Sequence, residues 1–188
     1  EFHLKSRMFL QKIFFQKEHE CLQLLHQAQV LLRNTEYDLV ISLVKKAYQV
    51  SSVYDLTNYS IAVFEILLQC YTEIGDIKKF HIAREELDKL LLRKRYEREA
   101  LTIYQFVKVS LKRTVKSRKE LMPLIPGHIQ KLEELWSLAS TAEAFNAYYK
   151  VSMLYYEMVG DFNRIVDLTL LSEKWLNDGV LKGHRFEA

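Results

Sequence analysis

Residues 142–175, AEAFNAYYKVSMLYYEMVGDFNRIVDLTLLSEKW, decide the fold class. Apolar residues recur at helical spacing on both sides of Gly160-Asp161, which predicts two amphipathic helices joined by a tight corner. Glycine ends the first helix because it takes the left-handed conformation without a Cβ clash. Asp161 is placed to cap the second, its carboxylate accepting from the free N–H groups of the first turn. Such a pair cannot bury its own apolar faces and must stack on neighbours. The corner recurs upstream, where Tyr71-Thr72-Glu73-Ile74-Gly75-Asp76 matches Tyr156-Glu157-Met158-Val159-Gly160-Asp161.

Working outward, the same periodicity predicts a short helix over Leu4–Phe15, with Met8, Phe9, Ile13 and Phe14 as its apolar positions. A first pair follows over Glu18–Arg33 and Glu36–Ser51, with Leu24, Ala28 and Leu31 facing Val40, Val44, Ala47 and Tyr48. Asn34 is expected to take the left-handed conformation at its corner. The second pair spans Asn58–Ile74, with Ile61, Phe64, Leu67, Leu68 and Tyr71 as its apolar positions, and Ile77 to about Arg93, with Phe80, Ala83, Leu87 and Leu90. A longer helix is predicted over Tyr96–Lys116, then a break at Leu121–Gly127 caused by Pro123 and Pro126. Gly127–Ala139 precedes the final pair, and Leu181–Ala188 is expected to be a frayed or truncated end. The sum is an all-α chain of about nine helices without a strand. Its antiparallel helix pairs are stacked as one domain over 1–188, irregular at 121–127.

Composition agrees with that class. Five glycines and two prolines in 188 residues are few for a β-protein and natural for helices joined by short corners. The longest run free of Asp, Glu, Lys and Arg is Cys21–Leu32, short of the ~18 residues that a membrane span requires. A net charge of +3 does not by itself imply a nucleic-acid partner. Cys21 and Cys70 lie far apart and form no CxxC pair, so two reduced thiols in a cytoplasmic protein are expected rather than a disulfide framework. The chain begins at Glu1 with no signal-peptide pattern, and we expect a fragment of a longer protein.

Ala28, Tyr37, Val40 and Ala47 sit where tetratricopeptide repeats place small or aromatic residues for close helix packing, and EYDLVISLVKKAYQV (36–50) is similar to the second half of such a repeat. The second pair departs from that pattern, since Phe80 and Leu87 stand where alanines are usual. Three segments also resemble an uncharacterised bacterial family known mainly from Bacteroidetes: YDLVISLVKKAYQV (37–50), SIAVFEILL (60–68) and AYYKVSMLYYEMVGDFNRIVDL (147–168). The resemblance implies a tetratricopeptide-like right-handed superhelix and brings no catalytic residues. It also implies a concave groove lined by the first helix of each pair. Here those positions are Glu65, Gln69 and Glu73, then Lys150, Leu154 and Glu157. Peptide-binding tetratricopeptide arrays often clamp a C-terminal carboxylate with Lys and Asn side chains. Only Lys150 fits that scheme, so chaperone tails are not the expected ligand.

One charge feature rises above background. Between Arg93 and Lys119 ten Lys or Arg residues face two acids, Glu97 and Glu99, a net of +8 in a chain whose total is +3. On one continuous helix, Lys94, Arg98, Lys108, Lys112, Lys116 and Lys119 fall within an arc of roughly 80°. Tyr96, Ala100, Ile103, Tyr104, Val107 and Leu111 occupy much of the other side. A basic stripe can hold phosphates or an acidic partner, but a solvated amphipathic helix shows the same pattern.

The tyrosines Tyr148, Tyr149, Tyr155 and Tyr156 are expected chiefly in helix packing. His3, His19, His26, His81, His128 and His184 form no metal-binding spacing, and no phosphate loop or nucleophile motif is present. No catalytic residue, metal or cofactor is expected. The function expected is non-catalytic binding of another protein, or of another domain of the same full-length chain, on the concave face. The alternative is a regulatory module that uses the basic stripe to bind nucleic acid or an acidic partner.

Overall fold

In the computed structural model, residues 2–177 are described, with side chains over 15–114 and 116–175. Among the described residues there are eight α-helices, one 3-10 turn and no strand. The helices are α1 (Phe2–Arg33), α2 (Tyr37–Val53), α3 (Thr57–Ile74), α4 (Ile77–Leu111), α5 (Val115–Leu121), α6 (Ile125–Ala139), α7 (Ala142–Val159) and α8 (Phe162–Asn177). The predicted end at Leu181–Ala188 lies outside the described residues, as do the side chains of Met8, Phe9, Ile13 and Phe14.

Two predicted boundaries vanish. The expected helices Leu4–Phe15 and Glu18–Arg33 are one helix, and α4 runs through the expected stop near Arg93. Neither junction holds a glycine or proline, so nothing there interrupts the backbone ladder. Conversely, the helix predicted over Tyr96–Lys116 stops at Leu111. Thr114 starts α5 by accepting from the Ser117 N–H at 3.3 Å, and the Arg118 Nε–H donates to the Leu111 carbonyl at 2.7 Å. The prolines do not open a linker. Met122–Leu124 forms a 3-10 turn and Pro126 lies in the first turn of α6, where a missing N–H costs no hydrogen bond.

The chain divides into two compact units, Glu1–Lys94 and Arg95–Ala188, a division inside α4 and not at 121–127. In the first unit α1 packs on α2 and α3, and α2 on α3. Corners of two or three residues make successive helices antiparallel. The predicted apolar faces form the core: Ala28, Val40, Val44, Ala47 and both cysteines are wholly buried, Phe64, Leu67 and Tyr71 are buried with them, and Phe80, Leu87 and Leu90 pack against them. Val63, outside the predicted face, is wholly buried as well. Both cysteines are free and buried, and the Cys21 thiol donates to the Ala47 carbonyl at 3.5 Å. Burial pushes the Cys21 thiol up to about 11, so it stays protonated.

The corners carry the local chemistry. Gly75 (φ 77°) and Gly160 (φ 73°) both take the left-handed conformation. In each, the glycine N–H donates to the carbonyl three residues back (Thr72, Glu157) and the aspartate N–H to that of the preceding tyrosine (Tyr71, Tyr156). Asp76 then accepts from the Lys79 N–H at 3.1 Å, and Asp161 from the Arg164 N–H at 3.2 Å. The first corner corrects the expectation for Asn34. Thr35 is the residue with φ 61°, its hydroxyl donating to the Asn34 carbonyl at 2.6 Å, because three backbone bonds to Leu31 and Leu32 place the reversal there. Asp55 also has positive φ (57°) and accepts from Arg93 at 2.6 Å, pinning the α2–α3 corner to α4.

In the second unit α6 packs on α7 and α7 on α8. Ala100 and Val107 are buried with Leu132, Leu135 and Val151, and Tyr96, Ile103, Tyr104 and Leu111 pack against them, as the periodicity predicts. A smaller aromatic core surrounds Phe145. Its ring lies 5.1 Å from that of Trp136, 5.3 Å from Trp175 and 5.9 Å from Tyr149. Tyr148 stacks near Trp136, so the tyrosines of α7 serve packing here.

Candidate functional site

In the first unit, α2, α3 and α4 leave an open cavity of about 220 Å³. Lys45 and Tyr48 of α2 form one wall, Phe64, Leu67 and Tyr71 of α3 the floor, and Lys79, Ile82 and Ala83 of α4 the other wall. The floor follows from helical spacing, since positions three and four apart share a face. The Tyr48 ring meets Phe64 edge-on at 5.0 Å. Ala83 is almost wholly buried yet carries only a methyl group, so its wall recedes and leaves the space.

The rim is cationic. Lys79 donates to Asp76 at 2.6 Å while its ammonium lies 5.9 Å from the centre of the Tyr71 ring. The hydrogen bond to Asp76 raises the Lys79 pKa and lowers that of the carboxylate. Burial raises the Tyr71 phenol above its ordinary value, so it presents a neutral O–H. Lys45 is exposed and has no ion-pair partner among the described residues. The arrangement is an apolar hole with two lysines at its mouth, Lys79 paired with Asp76 and Lys45 exposed.

The predicted groove residues lie elsewhere. Glu65, Gln69 and Glu73 are exposed on α3, but at about 100° per residue they project roughly 160° away from Phe64, Leu67 and Tyr71. They belong to the first unit, and Lys150, Leu154 and Glu157 to the second. Glu157 is exposed, Leu154 is half-buried, and the half-buried Lys150 sets its ammonium 5.9 Å from the Tyr104 ring centre.

The basic stripe does not lie on one helix. Lys94, Arg98 and Lys108 are on α4, Lys112 is in the bend after it, and Lys116 and Lys119 are on α5. Arg98, Lys108, Lys112, Lys116 and Lys119 are exposed and Lys94 is half-buried. Lys108 lies 5.6 Å from the centre of the Tyr104 ring, and Lys116 meets Glu120 at 4.0 Å. The continuous arc is lost because Thr114 restarts the chain as a new helix.

Sequence reasoning found the floor of the cavity as core residues and missed Lys45, Lys79 and Ile82. A usable signal was present. Shifting the second pair by 85 positions onto the last aligns Gly75 with Gly160 and puts Ala83 opposite Leu168, a small residue where the repeat carries a large one.

Among the described residues no group of three or more His, Cys, Asp or Glu side chains is arranged to hold a metal ion. No described helix is long and apolar enough to cross a membrane. No protein-family model matches the chain, and neither a curated protein nor a solved structure matches it.

Proposed function

We propose that the chain is a non-catalytic interaction module that binds a segment of another protein, or of another domain of its own full-length chain. Its helix pairs are read as a tetratricopeptide-like array, on the strength of the two Gly-Asp corners with the same backbone bonds. The observation that carries the functional reading is the open cavity of the first unit. At about 220 Å³ it is smaller than the roughly 300–1,000 Å³ of sites that enclose a whole small molecule. It exceeds the cavity of about 150 Å³ that admits one benzene ring. One apolar side chain of a partner therefore fits it, and such anchors in desolvated pockets supply most of the energy of many interfaces. Free, buried thiols suit a reducing compartment, and we place the module in the cytoplasm.

The test is selection of a displayed peptide library on the intact chain. Enriched peptides should share a bulky apolar residue and lose binding to Ala83→Leu, which places a larger side chain in the cavity wall. Equal binding of the enriched peptides to Ala83→Leu would overturn the assignment.

A further inference from the structure

We infer that the cavity of the first unit selects an acidic segment, one aromatic anchor flanked by carboxylates, with the anchor in the hole and a carboxylate on Lys45. The inference rests on the interaction-module reading and adds the chemical class of the partner. Charge complementarity carries it. Lys45 and Lys79 are the charged groups among the residues that line the cavity, and each is followed or preceded in the chain by a second lysine, Lys46 and Lys78. Asp76 already holds Lys79 at 2.6 Å, whereas Lys45 has no ion-pair partner among the described residues, so Lys45 is the cation with charge to offer. The anchor is aromatic because three rings, Tyr48, Phe64 and Tyr71, are among the residues that line the hole. Offset and edge-to-face ring pairs gain energy beyond the area they bury. A basic or uncharged flank would leave the Lys45 ammonium beside a closed apolar contact without a counter-charge, since Asp76 already pairs with Lys79.

The probes are three fluorescein-labelled peptides of one length, with a central tryptophan flanked by aspartates, by asparagines or by lysines. Titration onto the intact chain by fluorescence anisotropy at low salt should rank them aspartate, asparagine, lysine. The first two should differ by roughly two- to fivefold, the range expected of one exposed ion pair. Raising the salt concentration should shrink that difference. Lys45→Gln should remove most of that difference. Far-UV circular dichroism confirms that this surface variant is folded. Peptides that bind wild type, fail on Ala83→Leu and ignore flank charge would overturn the acidic selectivity alone. No binding by any peptide, or binding that survives Ala83→Leu, would overturn the cavity reading and the inference with it. Free indole-3-propionate binding as tightly as the aspartate peptide would show a small-molecule site and overturn the segment as occupant.

Discussion

The α3–α4 and α7–α8 corners have the same backbone bonds and support different surroundings. Each reverses through a left-handed glycine and starts its second helix on an aspartate cap. Seven residues beyond each aspartate stands a buried residue, Ala83 in the first pair and Leu168 in the second. Leu168 packs against Phe145 and Tyr149, with Trp136, Tyr148 and Trp175 around them. At the matching place in the first pair, the methyl group of Ala83 borders a hole with lysines at its mouth. The outer faces differ as well. Phe162, Val166 and Leu170 leave an apolar stripe exposed on α8, while α4 carries Ile77, His81 and Glu85 at the same positions. A shared corner fixes how a helix pair turns. At the matching position of that shared frame one pair carries a leucine packed among aromatic rings and the other a methyl group beside an open cavity.

The most severe way to break the comparison is to empty the second pair. Leu168→Ala should cost about 2–4 kcal/mol, the transfer and cavity cost of deleting a buried leucine side chain. Both tryptophans lie in the second unit, so urea unfolding followed by tryptophan emission reads it directly; an unchanged midpoint would mean that Leu168 is not a core residue. Next in size is Asp55→Ala. It removes the acceptor of Arg93 and asks alanine to hold φ near 57°, for a loss of about 1–3 kcal/mol in far-UV-detected unfolding. Asp55→Asn, which tolerates that conformation, should cost less.

Gly75→Ala and Gly160→Ala sharpen the likeness between the corners. An added Cβ meets nothing within 4 Å at either glycine, so each change should cost only the backbone penalty, about 1 kcal/mol. Losses that differ by more than a few tenths would show that the corners are not equivalent. The smallest effect is acid titration of the Asp76 cap. Its folded pKa lies below the ordinary 3.8, so its contribution is complete above that value and is lost as pH falls through the folded one. The stability difference between wild type and Asp76→Asn should therefore persist at pH 6 and vanish at the acid end.

Much of the fold was legible without coordinates. Gly75, Gly160 and both aspartates announced their corners, and Val40, Val44, Ala47, Ala100 and Val107 announced their buried faces. Local rules suffice for these, because backbone conformation and face direction depend on residues three or four apart. Helix ends without such a marker were not legible. Lys94-Arg95 contains no breaker and α4 passes through it, whereas at the restart Thr114 caps α5 and the Arg118 side chain reaches back to the Leu111 carbonyl. Hence the basic residues of 93–119 read as one stripe and were found on two helices and the bend between them.

The sequence by itself determined an all-α chain, its glycine corners and the apolar side of each helix. Only the tertiary structure decided that Lys45, Tyr71, Lys79 and Ala83 meet around one hole, on the side of α3 away from Glu65, Gln69 and Glu73. The physical reason is that periodicity states which way a side chain points but not how much volume its neighbours bring. A socket is a shortage of that volume between three helices, and no single helix encodes it.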